Sequence, residues 1–206
     1  MVLTNETTHT YPFHWDVVTR AFWNKYPNSM LTHVERVDVL DRSVDARGCL
    51  RSSRLAKVTQ ANVPAWAKSV LGSSSYVFEE TVCDPVAKTL ELKSTNLSFR
   101  SVATVEETCV YSVHPENPDA TLYTAEAKVT AFVPMLSKKL ESFSVSRGAE
   151  TAAKGIRAVE AICSDIFEGT FEPAWCEPVS ASSAAAAAVS SSAAAVAAAS
   201  QGRKQS

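Results

Sequence analysis

The most regular alternation of apolar and polar positions lies between residues 121 and 133. From Tyr123 onward every second residue is apolar or small, and the intervening residues up to Thr130 are Thr, Glu or Lys. A period of two predicts a β-strand that turns one face toward a core. Three of the inward residues are alanines: Ala125, Ala127 and Ala131. Such small side chains indicate either a hollow beneath the strand or a helix packed very close to it.

The other segments complete a pattern of several strands and two helices. Strand-like segments rich in β-branched and aromatic residues lie near 3–10, 37–42, 76–83, 88–99 and 102–113. A helix is predicted from about 14 to 26, where Pro27 ends it because proline cannot donate the helical hydrogen bond. A long helical pattern without an internal proline covers about 136 to 167. Strands followed by one long helix predict an α+β fold in which an antiparallel sheet curls around the C-terminal helix.

Composition limits the chain to one globular domain without a strong overall charge. A hydrophobic content of 46% is enough for a sizeable core. A length of 206 residues is too short to expect two domains. A net charge of -2 gives no general attraction to nucleic acid or to an anionic bilayer. We expect neither a signal peptide nor a membrane span, because polar and acidic residues interrupt the apolar runs. The five cysteines lack a Cys-x-x-Cys pair, so we expect small buried hydrophobic residues rather than a metal site or a disulfide framework.

The C-terminal segment has a different composition from the rest. Residues 181–200 consist of twelve Ala, six Ser and two Val. Alanine favours helix, but a segment without large side chains has no core to join and is marginal as a helix in water. We therefore predict a domain at residues 1–173 and a disordered, dispensable Ala/Ser-rich tail at residues 174–206.

The long helical pattern carries polar residues within an otherwise apolar stripe. Arg147, Thr151 and Lys154 follow one another at helical spacings, between apolar residues on both sides. A buried cation needs an anionic partner, and a phosphate suits both the planar donors of arginine and the compact charge of lysine. The alternative is that these side chains lie at the edge of the stripe and extend to solvent.

A second basic group comes from the first half of the chain. It comprises Lys25, His33, Arg51, Arg54 and Lys57. Arg51 and Arg54 are an odd number of residues apart, so only one of them can point inward from a regular strand.

A segment between two predicted strands has the composition of a movable lid. It runs from 62 to 72, with Pro64 near its start, Gly72 at its end, and Trp66, Val70 and Leu71 between them. These apolar side chains would cap a cavity or enter a bilayer interface. The alternative is a short packed helix that does not open.

The residue patterns of common enzymes are missing from the sequence. There is no Gly-x-Ser-x-Gly, phosphate-binding Gly-x-x-x-x-Gly-Lys or His-Glu-x-x-His motif, and the histidines lack metal-ligand spacing. Glu79-Glu80 and Glu106-Glu107 are adjacent in predicted strands, so the members of each pair face opposite sides. We therefore expect a protein without catalytic residues, metal or cofactor.

A set of short motifs, in a fixed order, resembles one known family. The motifs are Trp15, Lys25-Tyr26-Pro27-Asn28, His33, Val-Asp-Val-Leu-Asp-Arg at 37–42, Arg51, Arg54, Pro64-Ala65-Trp66, Asp84-Pro85, Glu-Leu-Lys-Ser-Thr-Asn-Leu-Ser-Phe at 91–99 and His114-Pro115. Together they span roughly residues 1 to 170 and resemble the PRELI, or Slowmo, family of mitochondrial phospholipid carriers. The motif at 91–99 is most similar to the branch associated with phosphatidylserine. Arg20-Ala21-Phe22 is more similar to the branch associated with phosphatidic acid.

The resemblance implies a fold, a site and a set of partners. The fold would be a StART-like helix-grip that encloses a lipid cavity. The residues at the headgroup end would be Lys25, His33, Arg54, Arg147, Thr151 and Lys154. The protein would carry phosphatidylserine or phosphatidic acid between mitochondrial membranes, contact membrane surfaces transiently, and be held in the intermembrane space by a small helical-hairpin protein with twin Cys-x9-Cys motifs. A small hydrolase or cyclase on the same cavity fold, or an adaptor for a protein partner, are the alternatives.

Overall fold

The computed structural model describes residues 2–59, 74–132 and 137–173, with side chains in the last range described from 146 onward. Met1–Phe171 forms one compact unit, and the segment beyond it is a second unit of which only residues 172 and 173 are described. The predicted tail at 174–206 therefore lies outside the described residues. The described residues of the compact unit form seven strands, two helices and a short 3-10 turn. Their bounds are β1 Val2–Tyr11, α1 Trp15–Trp23, the turn Ser29–Leu31, β2 Val34–Val44, β3 Leu50–Thr59, β4 Ser74–Asp84, β5 Thr89–Asn96, β6 Ala103–Val113, β7 Thr121–Ala131 and α2 Ser137–Glu168.

The seven strands form one curved antiparallel sheet in the order β1-β7-β6-β5-β4-β3-β2. Strands β2 to β7 follow one another as a meander, and β1 pairs with β7 along its full length. The two strands that flank α1 in the sequence therefore become the two edges of the sheet. This α+β architecture, with a long C-terminal helix over the sheet, confirms the predicted fold class.

Helix α1 is amphipathic and buries one face against the sheet. Trp15, Val18, Ala21 and Phe22 are at most 5% exposed. The indole Nε1 of Trp15 donates a hydrogen bond to the carbonyl of Tyr111, 3.2 Å away. The helix ends at Trp23 rather than near Tyr26. Asn24 and Lys25 donate instead to carbonyls three residues back, and Tyr26 avoids the helical conformation because it precedes a proline.

Helix α2 agrees closely with its predicted range. It covers 32 residues and is followed by Gly169, whose φ of +74° is a left-handed conformation that suits glycine at a helix C-terminus. Ala158, Val159 and Cys163 of its C-terminal half are at most 1% exposed. This half lies with α1 over one end of the concave face of the sheet, where Tyr11, Tyr111 and Tyr123 join the same core cluster.

The four cysteines within the described ranges are buried and free: Cys49, Cys83, Cys109 and Cys163. This agrees with their expected behaviour as small hydrophobic residues.

Candidate functional site

A cavity of about 420 Å³ lies between the concave face of the sheet and the middle part of α2, from Arg147 to Ile156. Its walls come from all seven strands, of which β2 contributes its first residue, from the segments after α1 and after β5, and from residues 147–156 of α2. Small residues create this space, among them Ala127 of β7 and Gly155 of α2. The hollow predicted beneath the strand at 121–133 is therefore confirmed at Ala127, whereas Ala125 belongs to the packed core.

One row of polar residues crosses the concave face of the sheet. Residues paired directly across antiparallel strands carry their side chains on the same face. The pairs that form the row are Arg54 with Glu79, Glu79 with Ser94, Ser94 with Glu107, Glu107 with Ala127, and Ala127 with Asn5. This row, in which Ala127 is the one apolar member, is called the polar row below.

Arg54 occupies the buried end of the polar row and is 4% exposed. Its Nη2 lies 2.8 Å from Oε2 of Glu79, close as an ion pair but not aligned as a hydrogen bond. The guanidinium carbon also lies 5.1 Å and 5.6 Å from the ring centres of Phe22 and Trp23, and such cation–π contacts stabilise a charge removed from water. Arg51, in contrast, is exposed and pairs with Asp45 at 3.0 Å.

Arg54 thus points inward, but it is not among the residues that line the cavity. The resemblance implied direct contact between Arg54 and a headgroup. In the structure Arg54 lies behind Glu79, which does line the cavity, and the guanidinium is engaged by that carboxylate. This arrangement supports a role for Arg54 in holding Glu79 in place.

Lys25 lines the cavity from the segment after α1. Its Nζ lies 5.3 Å from the ring centre of Phe22 and 4.9 Å from that of Tyr26. Burial lowers the pKa of Lys25, but the charges of Tyr26 and Glu79 oppose it, and the net pKa is raised above the ordinary value. The ammonium therefore remains charged at neutral pH.

The predicted cations of the two halves of the chain come together near His33. Burial lowers the pKa of His33, and the charges of Lys154, Arg147 and Lys25 lower it further. The imidazole is therefore neutral at neutral pH, and the charges of all three cations act on it. His33, Arg147 and Thr151 line the cavity together with Lys25.

Lys154 is placed differently from the other predicted site residues. Its Nζ forms an ion pair of 2.6 Å with Glu150, one helical turn away, and the lysine side chain is 41% exposed. Lys154 is not among the lining residues. For Lys154 the structure matches the alternative in which the side chain extends to solvent, although its charge still acts on His33.

The predicted lid residues Trp66, Val70 and Leu71 lie outside the described residues. Their proposed role at the mouth of a cavity stays a prediction.

The structure adds carboxyl groups that the sequence analysis did not assign to the site. Glu79 and Glu107 both line the cavity and come from different strands of the polar row. Within each adjacent pair the two glutamates face opposite sides, as expected. The two inward glutamates, Glu79 and Glu107, come from different pairs and share one face through their common neighbour Ser94. The available signal was parity: Glu107 is an even number of residues from Val105, Cys109 and Tyr111, so it shares their inward face.

The carboxyl group of Glu107 is in an unfavourable environment for a charge. Burial raises its pKa, the ammonium of Lys25 lowers it, and the carboxylate of Glu79 raises it further, with a net upward shift. Within the described ranges no ion pair or hydrogen bond to this carboxyl group is present.

This arrangement suits an amphipathic anion. Lys25 and Arg147 offer charged donors to a phosphate, and the sheet supplies apolar lining such as Ala56, Val77 and Val129. No group of three or more His, Cys, Asp or Glu side chains within the described part of the chain could hold a metal ion. None of the helices described here is both long and apolar enough to span a bilayer.

Comparison with known proteins identifies the family. Residues 16–169 match the model of the PRELI-like family. The slowmo homolog of Dictyostelium discoideum is 36% identical over 162 residues, which are 78% of this chain and 71% of that protein. The mitochondrial protein UPS2 of Saccharomyces cerevisiae is 39% identical over 163 residues, 76% of this chain and 70% of that protein.

A solved structure supports the fold independently of sequence. The ZhuI aromatase/cyclase of Streptomyces sp. R1128 superposes with a TM-score of 0.54 over 80% of this chain and 95% of that one, at 12% identity. Similarity at this level of identity concerns the fold alone. From the family match and the two relatives, the chain belongs to the PRELI-like family.

Proposed function

We propose that this protein is a non-enzymatic carrier that takes one glycerophospholipid, phosphatidylserine or phosphatidic acid, from one membrane and releases it at another. The cavity is the observation that supports this most directly, because its lining combines apolar residues with the cations Lys25 and Arg147. The acyl chains would lie along the apolar lining and the phosphate would meet the cations. Each methylene kept from water is worth about 0.8 kcal/mol, so such a wall greatly favours passage of a lipid through water.

The relatives support a location for this transfer. The yeast relative is named a mitochondrial protein, in keeping with transport between the outer and inner mitochondrial membranes across the intermembrane space. Transient contact with membrane surfaces is part of the same proposal. So is a small helical-hairpin partner with twin Cys-x9-Cys motifs, which rests on the family resemblance alone.

The test is a liposome-to-liposome transfer assay with phosphatidylserine and phosphatidic acid at fixed salt concentration. Lys25→Ala and Arg147→Ala should each weaken binding of both lipids, because the phosphate is common to them. Loss of a charged hydrogen bond is worth about 1.5–3 kcal/mol, or roughly a ten- to a hundredfold fall in affinity. Lys93→Ala is the matched control, because the Lys93 side chain is 64% exposed on the outer face and forms an ion pair with Glu91 of the same strand.

Two results would contradict the proposal. The first is transfer of neither lipid by the wild-type protein. The second is chemical conversion of the lipid during the assay, which would indicate an enzyme on this cavity fold.

A further inference from the structure

Glu107 is an acidic side chain in the cavity whose charge the protein does not balance in the way it balances Glu79. The cross-strand neighbours of Glu79 are Arg54 and Ser94, and Arg54 lies 2.8 Å from its carboxylate. The cross-strand neighbours of Glu107 are Ser94 and Ala127, which carry no charge. Two glutamates on the same row of the sheet therefore differ in whether a cation stands beside them.

Lys25 does not take the place of the missing cation. Its charge acts on Glu107, but no ion pair within 4.0 Å joins the two in the described structure. The Lys25 ammonium lies instead over the rings of Phe22 and Tyr26. Glu107 is half-buried and lines the cavity, so its carboxyl group, which has no partner among the described residues, is available to a donor on a bound ligand.

The chemistry of that partner follows from the rest of the cavity. If a lipid phosphate binds Lys25 and Arg147, as the proposed function requires, the headgroup substituent attached to that phosphate lies near the polar row, which lines the same cavity. A primary ammonium has three N–H donors and a positive charge, which a carboxylate accepts well. A second anionic oxygen of a phosphomonoester would meet repulsion there instead.

We propose that Glu107 is a specificity-determining residue, and that its carboxylate accepts the ammonium group of an amine-bearing phospholipid headgroup. This inference rests on the proposed function and extends it, because it assigns discrimination between headgroups to one side chain. The cations bind the phosphate that all phospholipids share, and Glu107 recognises the headgroup substituent attached to it. Glu79 differs, because its carboxylate is already paired with Arg54 at 2.8 Å.

The experiment compares binding of phosphatidylserine and phosphatidic acid to wild-type protein, Glu107→Gln and Glu107→Met. Glutamine removes the charge at nearly constant shape, and methionine also removes the hydrogen-bond acceptor. Phosphatidylserine affinity should fall roughly tenfold in Glu107→Gln and further in Glu107→Met, while phosphatidic acid affinity stays equal or rises. Glu106→Gln is the matched control, since Glu106 is the adjacent residue on the opposite, exposed face of β6 and pairs across the strands with Thr95 and Lys128.

The outcomes separate the inference from the proposed function. If wild-type protein binds neither lipid, the proposed function fails and the inference fails with it. If wild-type protein binds lipid but the Glu107 variants keep the same ratio of the two affinities, the carrier function stands and the role of Glu107 is wrong. Wild-type binding of phosphatidic acid alone would also overturn the inference.

Discussion

The two ends of the concave face differ in side-chain size on the same strands. At the closed end, the ring of Tyr111 of β6 packs against Phe22 of α1 at 5.6 Å and against Tyr123 of β7 at 4.8 Å, and the two tyrosines form the inner wall of the cavity. At the open end, the same two strands present Ala103 and Ala127 to a cavity. The backbone ladder is continuous between the ends. Whether this face forms a core or a cavity is therefore decided by the residues placed on it.

Helix α2 shows the same division along its length. Val159 and Cys163 are fully packed in the closed end, whereas Gly148 and Gly155 border the cavity. A Cβ atom added at either glycine would meet nothing within 4 Å. The polar row lies at the boundary between the two ends, where Glu107 opens into the cavity and Arg54 is covered by aromatic rings.

The largest loss of stability is expected from a substitution in the packed core of the closed end. Phe22→Ala should lower the free energy of unfolding by about 3–5 kcal/mol, because it removes a fully buried ring and leaves a void. Urea unfolding measures this loss. Phe167→Ala, at a position that is 79% exposed, should change the stability by less than about 1 kcal/mol. Equal losses in the two variants would show that the closed end is not the main source of stability.

A somewhat smaller effect is expected at the boundary. Arg54→Leu leaves the Glu79 carboxylate buried without its partner, which costs about 3 kcal/mol in comparable sites. Arg54→Leu combined with Glu79→Leu should recover most of that loss, because neither charge remains. Thermal unfolding of the single and double variants checks this. A stable single variant with impaired lipid binding would instead assign Arg54 to direct headgroup contact.

Glu107 offers a pH-dependent test of the same boundary. Because burial raises the pKa of Glu107 above its ordinary value of 4.5, the folded state binds its proton more tightly than the unfolded state does. Stability therefore falls as pH rises from about 4.5 through the raised pKa. Glu107→Gln, which cannot ionise, should unfold at a higher temperature than wild type at pH 8, and the difference should vanish near pH 4. A difference that does not depend on pH would contradict this environment for Glu107.

The smallest effect is expected at the open end of α2. Gly155→Ala should stabilise the protein by about 0.5–1 kcal/mol, because alanine favours helix and its Cβ has free space. The same substitution at Gly169, where φ is +74°, should destabilise instead. Denaturant midpoints of the two variants provide the comparison, and a destabilising Gly155→Ala would show that the cavity wall is more closely packed than described.

The sequence predicted much of this architecture because its signals are local. The period-two alternation at 121–133 located β7, and the long proline-free pattern located α2. The hollow followed from alanines on an inward face, although only the structure separated Ala127 in the cavity from Ala125 in the core. These features depend on residues close together in the chain.

The site was less accessible to prediction because it depends on register between strands. Glu79 and Glu107 are 28 positions apart and share a row only through their pairing with Ser94. Arg54 was rightly placed inward, but its contact with Glu79 could not be read from either residue alone. Lys154 shares a helical stripe with Arg147, yet a neighbouring turn supplies Glu150 as its partner.

The central claim is that the open end of the concave face holds a phospholipid. The most direct measurement is phospholipid content, by extraction and mass spectrometry, of wild-type protein and the Ala127→Leu variant after identical incubation with liposomes. Leucine at 127 places three further carbon atoms in the cavity beside Glu107, so wild-type protein should carry about one lipid per chain and the variant clearly less, with a similar melting temperature. Lys128→Leu, on the opposite face of β7, should carry lipid as wild type does. Equal lipid content in the wild-type and Ala127→Leu proteins would contradict the claim.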